Sequence, residues 1–175
     1  LAMLWVFALV WRWRNNWPEA VVAALLMGAS WEFAYHARYV ATDTVMSQFA
    51  MLAAALAVFY YLRPQSRHWL WFAAGAAGLA LGSKYNMWPT LIPVLIAAWL
   101  RWDRRSWLAI LSVSFRIVFI FGLVYLITTP GTLLMPERFL ADVLYELRHY
   151  SVDGHGKYTA TPGLPHLLQN LRYLA

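Results

Sequence analysis

Arg38 and Asp43 stand with four residues between them in the stretch His36-Ala37-Arg38-Tyr39-Val40-Ala41-Thr42-Asp43-Thr44, between two long apolar runs and without a turn signal. Charge held at the junction of two membrane-spanning patterns is expensive and usually marks function. A guanidinium stays protonated and offers a fork that matches phosphate or carboxylate oxygens. Lys84, in Gly82-Ser83-Lys84-Tyr85, is a second isolated cation between apolar runs. Each has a plainer reading beside the chemical one. Arg38 can be an interfacial arginine whose stem snorkels, Asp43 ahead of Thr44-Val45 can be the N-cap of the next helix, and Lys84 can merely separate two short helices.

Other polar residues are weighed in the same way. Glu32 and His36 share a helix face at i, i+4 and read first as a structural polar pair within a bundle. Arg116, in the middle of an apolar run, either faces the bundle interior or shows that the run is misdrawn. His149, Asp153, His155 and His166 are suitable metal ligands by type. Their irregular spacing in and around a Gly/Pro-rich loop makes a divalent metal the minor reading, kept beside that of a mobile polar loop, and no cofactor is certain. The preferred reading is a lid in which His155, between Gly154 and Gly156, approaches a phosphate or an acceptor. With no cysteine, a disulfide framework, a Cys-based zinc site and a thiol nucleophile are all excluded.

The elements that must hold these residues are membrane spans. Apolar residues make up 62% of the 175 and charged ones 13%, with a mean hydropathy of +0.50, which is the composition of a membrane protein. The net charge of +6 does not point to nucleic acid, because the arginines fall in short clusters between apolar runs rather than along one hydrophilic face. Tryptophans, among them Trp11, Trp17, Trp69, Trp99 and Trp107, sit at the ends of those runs, where an amphipathic ring prefers the headgroup layer.

In chain order the runs are Leu1 to Trp11, Pro18 to about Tyr35, Val45 to Leu62, Trp69 to Ser83, Tyr85 to Leu100 and Trp107 to Ile127. The fourth and fifth are short for a bilayer, so Lys84 between them is expected below the membrane surface. Pro89 and Pro93 should break or kink the fifth, and the small residues from Ala73 to Gly82 favour close helix contact. Arg12, Arg14, Arg63, Arg67, Arg101, Arg104 and Arg105 fall on one side of the layer, which the positive-inside rule makes cytoplasmic. Arg38, Asp43, Lys84 and the polar tail then share the extracytoplasmic face. The tail should hold an amphipathic helix from Pro136-Glu137 lying along the membrane surface. The expected architecture is an all-α polytopic transmembrane helix bundle (1–127) followed by an extracytoplasmic loop with juxtamembrane helices (128–175). The chain opens inside an apolar run with no basic segment before it, so no cleavable signal is expected and it reads as a fragment.

Arg38-Tyr-Val-Ala-Thr-Asp43 before an apolar run, then Gly75-Ala-Ala-Gly78-Leu-Ala-Leu-Gly82-Ser-Lys84-Tyr85, then a Thr129-Pro130 exit into a helix with Phe139, resembles the GT-C-fold glycosyltransferases. It is most similar to bacterial relatives of the protein O-mannosyltransferases and of the lipid A aminoarabinose transferase. The resemblance implies an inner-membrane, multi-pass enzyme that moves a sugar from a polyprenyl-phosphate carrier to a lipid, protein or glycan acceptor outside the cytoplasm. It further implies that Arg38 lies near the lipid-linked phosphate and that Asp43 orients Arg38 or lines the pocket. Lys84 would supply a further cation, with Tyr85, His149 and His155 completing the substrate-binding set. The family's main catalytic carboxylate lies in an external loop ahead of the span corresponding to Leu1 to Trp11. That loop is not in this sequence, so the segment alone is expected to be inactive. A transporter built on interrupted short helices and a non-catalytic membrane subunit are the competing classes. No internal repeat favours the first.

Overall fold

The computed structural model describes residues 1–38, 42–63, 65–101, 106–149 and 163–174, except for the side chains at 32, 36, 37, 166, 170, 173 and 174. The chain divides into two units, Leu1–Thr129 and Pro130–Ala175. Among the described residues there are helices and turns but no strand.

The first hairpin turns on two asparagines. Helix α1 (Ala2–Arg14) ends where Asn15 takes the left-handed conformation, φ 52°, and its N–H donates to the Trp11 carbonyl. Asparagine tolerates that region better than most residues. Asn16 then caps α2 (Trp17–Ala29): its side chain accepts from the Glu19 N–H at 3.3 Å and donates to Glu19 Oε1 at 2.7 Å. The first bond is an N-cap, and the second ties the capping side chain to the N3 glutamate. Arg14 Nε closes the corner on Glu19 Oε2 at 3.0 Å.

The single run expected from Pro18 to Tyr35 is in fact two helices. Ser30 is extended (φ −61°, ψ 120°), ends α2 by donating its N–H to the Met27 carbonyl, and offers its hydroxyl to the Phe33 N–H at 3.5 Å at the start of α3 (Trp31–Ala37). A serine hydroxyl that competes for backbone groups terminates one helix and starts the next.

The core is built by α4 (Thr42–Leu62), α5 (His68–Ser83), a 3-10 segment (Tyr85–Thr90), α6 (Leu91–Arg101) and α7 (Trp107–Thr128). The expected break in the fifth run is present. Pro89 lies in the 3-10 segment, and Pro93 falls in the first turn of α6, where its missing N–H leaves no helical bond unmade. Helix α5 is central. Ala73, Ala74, Ala76 and Ala77 are all buried on it, facing Ala53, Leu56 and Tyr60 of α4, Val94 and Ala98 of α6, and Val113 and Ile117 of α7. Alanine on the central helix lets three neighbours approach at once.

Helices α4 (21 residues) and α7 (22 residues) are long and apolar enough to cross a bilayer, with mean hydropathies of 1.7 and 2.4. At 1.5 Å per residue they extend about 32 and 33 Å. Only 28% and 17% of their most apolar windows is buried by the protein itself, whereas the core helix of a soluble protein would be mostly covered. The first unit is an all-α membrane helix bundle.

The second unit contains α8 (Gly131–Leu134), α9 (Pro136–Arg148) and α10 (Leu164–Leu174). Helix α9 starts on Pro136 with Glu137 in its first turn and ends with Arg148, charges that complement the helix dipole at both ends. Leu140, Leu144 and Leu147 lie exposed along it.

Candidate functional site

Asp43 and Lys84 are 41 positions apart in sequence and meet at one end of the bundle, with Lys84 Nζ 2.5 Å from Asp43 Oδ1. Helix pairing produces the meeting. Helices α4 and α5 are antiparallel neighbours joined by a short turn, in which the Ser66 N–H donates to the Arg63 carbonyl, so the start of α4 and the end of α5 lie together.

Asp43 lies inside the first turn of α4 rather than at its cap, because the helix already includes Thr42. A carboxylate there is favoured by the unpaired N–H groups of the helix start. Lys84 is the C-cap of α5, extended at φ −155° and ψ 120°, and its N–H donates to the Ala80 carbonyl at 3.1 Å. The 3-10 segment that follows is pinned to α5 by buried Thr90, whose hydroxyl donates to the Met87 carbonyl at 2.7 Å and reaches the Ala77 carbonyl at 3.4 Å.

The end of α5 is also fixed from the α7 side. A Cβ on Gly78 would come within 2.6 Å of the Phe121 carbonyl oxygen, and one on Gly82 would fall on the Thr128 hydroxyl. Thr129 Oγ1 donates to the Gly82 carbonyl at 3.4 Å. The glycines thus bring α7 against the turn of α5 that presents Lys84.

Arg38 follows α3 directly and is exposed; its N–H donates to the Tyr35 carbonyl at 3.2 Å. Among the described residues, the carboxylate of Asp43 pairs with Lys84. Tyr85 follows Lys84 in the 3-10 segment and is half-buried. His149 is the C-cap of α9, in the second unit, with its ring stacked on Tyr145 at 6.0 Å. His155 and Asp153 lie outside the described residues, as do the side chains of His166, Glu32 and His36. Two cavities in the first unit are lined by residues other than Arg38, Asp43 and Lys84.

Gln48 is a polar residue within the apolar run from Val45 to Leu62. Its Oε1 is buried in α4 without a hydrogen-bond partner among the described residues, five positions along the helix from Asp43. A buried acceptor left unmatched is costly and calls for a donor. An amide inside an apolar run was the available signal.

Chemically, a lysine ammonium has three donors. Asp43 takes one, which orients the group, and an acceptor of another kind can use the others. With Arg38 near in sequence to the same helix start, the three formal charges leave the set net positive.

A family model for dolichyl-phosphate-mannose-protein mannosyltransferases matches residues 1–129. The chain belongs to this family. It is a membrane glycosyltransferase of the GT-C type, and the matched residues contain Arg38, Asp43 and Lys84 while stopping at the boundary of the first unit. No curated protein and no solved structure matches the chain. Membership in the mannosyltransferase family makes sugar transfer the chemistry against which the Asp43–Lys84 pair has to be judged.

Proposed function

We propose that this mannosyltransferase-family chain transfers a sugar from a polyprenyl-phosphate carrier to an acceptor on the extracytoplasmic side of the plasma membrane, and that the Asp43–Lys84 end of the bundle receives the donor phosphate. The observation that carries this reading is the ion pair itself, which joins two helix ends at the margin of an apolar bundle. Charge grows on the carrier phosphate as the glycosidic bond breaks, so a cation already held in place stabilises the transition state more than the ground state. Lys84 supplies that cation, Asp43 positions it, and the exposed guanidinium of Arg38 adds a fork for the remaining oxygens. Tyr85, His149 and His155 are proposed to contact the substrate. The arginine-rich turns on the other side of the layer support the extracytoplasmic orientation.

The test uses the full-length protein in vesicles, with radiolabelled dolichyl-phosphate mannose or its undecaprenyl analogue as donor. Lys84→Gln is expected to lower kcat/KM by about a hundredfold, the loss typical of removing one transition-state donor, and Arg38→Ala to abolish transfer, with membrane insertion unchanged in both. Wild-type turnover in either variant would remove that residue from the phosphate site.

A further inference from the structure

The seam between α5 and α7 changes character along its length. Arg67, at the start of α5, and Arg116, near the middle of α7, line a cavity of about 250 Å³ together with Tyr60 and Ser112. Farther along lies a groove of about 560 Å³, lined almost wholly by apolar atoms, among them Leu56, Phe72, Gly75 and Val124. Trp71 lines both. A molecule with an anionic end and an apolar length can therefore occupy the two together.

Helix register places both hollows along one face of α7. Ala109, Ser112, Val113 and Arg116 recur at helical spacing on one face of α7, and Ile120 and Val124 carry that face on into the groove. Small residues at 109 and 112 leave the room that the cavity occupies.

Arg116 needs an explanation that the bundle does not supply. It lies nine residues beyond Trp107, about 13.5 Å along the helix, which is near the middle of a span. The expectation that it faces the bundle interior is not met, since it is exposed in an unbroken helix and forms no ion pair with a described residue. Arg101 at the same end is differently placed: its Nε donates to the Tyr61 carbonyl and its guanidinium lies 4.4 Å from the Tyr61 ring centre. A charge at the depth of Arg116 is tolerated where water or a counter-ion reaches it. Helical side chains lean towards the N-terminus of their helix, which carries this guanidinium towards Arg67.

We propose that the α5–α7 seam binds one anionic phospholipid, with its phosphate between Arg67 and Arg116 and an acyl chain running past Trp71 into the groove. A free phosphate would satisfy the arginines alone, and the adjoining groove is what favours a lipid. The arginine-lined cavity lies at the opposite end of α5 from Lys84, with Arg67 about 25 Å away along that helix. The phosphate contact proposed here is therefore separate from the proposed donor site and does not depend on it.

The test is titration of the full-length protein in mild detergent with dioleoyl-phosphatidylglycerol, read by native mass spectrometry. One lipid is expected to bind saturably. Arg67→Gln or Arg116→Gln should weaken binding by about tenfold, as loss of a charge-assisted hydrogen bond would, and Ala109→Leu, which fills the cavity at constant charge, should do the same. Arg12→Gln, at another exposed arginine, should have no effect, and dioleoylglycerol, which lacks the phosphate, should bind far more weakly. The proposal is overturned if Arg12→Gln weakens binding as much as Arg116→Gln, or if dioleoylglycerol binds equally well. Displacement of the lipid by excess sodium phosphate would overturn it too, reducing the seam to a free-anion pocket. Should Arg116→Gln fail to insert, Ala109→Leu alone decides, and undiminished lipid binding in that variant sinks the site.

Discussion

Asp43 and Lys84 make a short ion pair whose side chains are 44% and 33% exposed. Water and headgroups screen such a pair, so its contribution to stability is under about 1 kcal/mol, and its worth must be sought in what it orients. Asp43→Asn in the full-length protein is accordingly expected to leave the melting temperature within about 2 °C of wild type while lowering transfer about tenfold, because the ammonium is no longer held by charge. A large drop in melting temperature with normal transfer would make the pair structural. Gln48 gives the opposite signature. Replacing an amide whose acceptor is unmatched by leucine should stabilise the bundle by about 1 kcal/mol, and KM for the donor should rise if Gln48 accepts from a sugar hydroxyl. Stabilisation with unchanged KM would leave Gln48 without a role in binding.

The α5–α7 contact decides where Lys84 is held. Gly78 and Gly122 are both helical glycines, yet a Cβ on Gly78 meets the Phe121 carbonyl oxygen at 2.6 Å while one on Gly122 meets nothing within 4 Å. Backbone cannot yield as a flexible side chain can, so Gly78→Ala must push the helices apart and should cost about 1–3 kcal/mol. Gly122→Ala should be neutral or stabilising by up to about 1 kcal/mol, through helix propensity alone. Thermal unfolding of the full-length variants compares the two, and equal effects would show that the seam is not close-packed. The small residues from Ala73 to Gly82 were readable in sequence as a contact stripe. Which neighbour each one meets was not, because the partner surfaces come from three other helices, α4 before it and α6 and α7 after it.

At the scale of the whole molecule, the orientation of the bundle makes the sharpest prediction. The sequence contains no cysteine, so a thiol introduced into this region is a defined reporter. Asn86 and Gln65 are both exposed and lie at opposite ends of α5. If the positive-inside reading holds, Asn86→Cys reacts with a membrane-impermeant maleimide on intact cells, and Gln65→Cys reacts only after permeabilisation. The reverse pattern would put Asp43 and Lys84 on the cytoplasmic side and remove the extracytoplasmic acceptor from the proposal.

Hydropathy and punctuation alone determined that this chain is a helical membrane protein, that Pro89 interrupts its fifth apolar run, and that Arg38, Asp43 and Lys84 are out of keeping with their surroundings. These are local properties, legible because the cost of a charge or a broken backbone bond in an apolar layer depends on the residue and its near neighbours. Tertiary structure alone decided that Asp43 pairs with Lys84 and that Arg116 lines a cavity with Arg67. Pairing across 41 positions depends on how helices align and which glycines let them approach. Neither is written in the periodicity of a single helix, since many packings satisfy the same apolar pattern and only close contact selects among them.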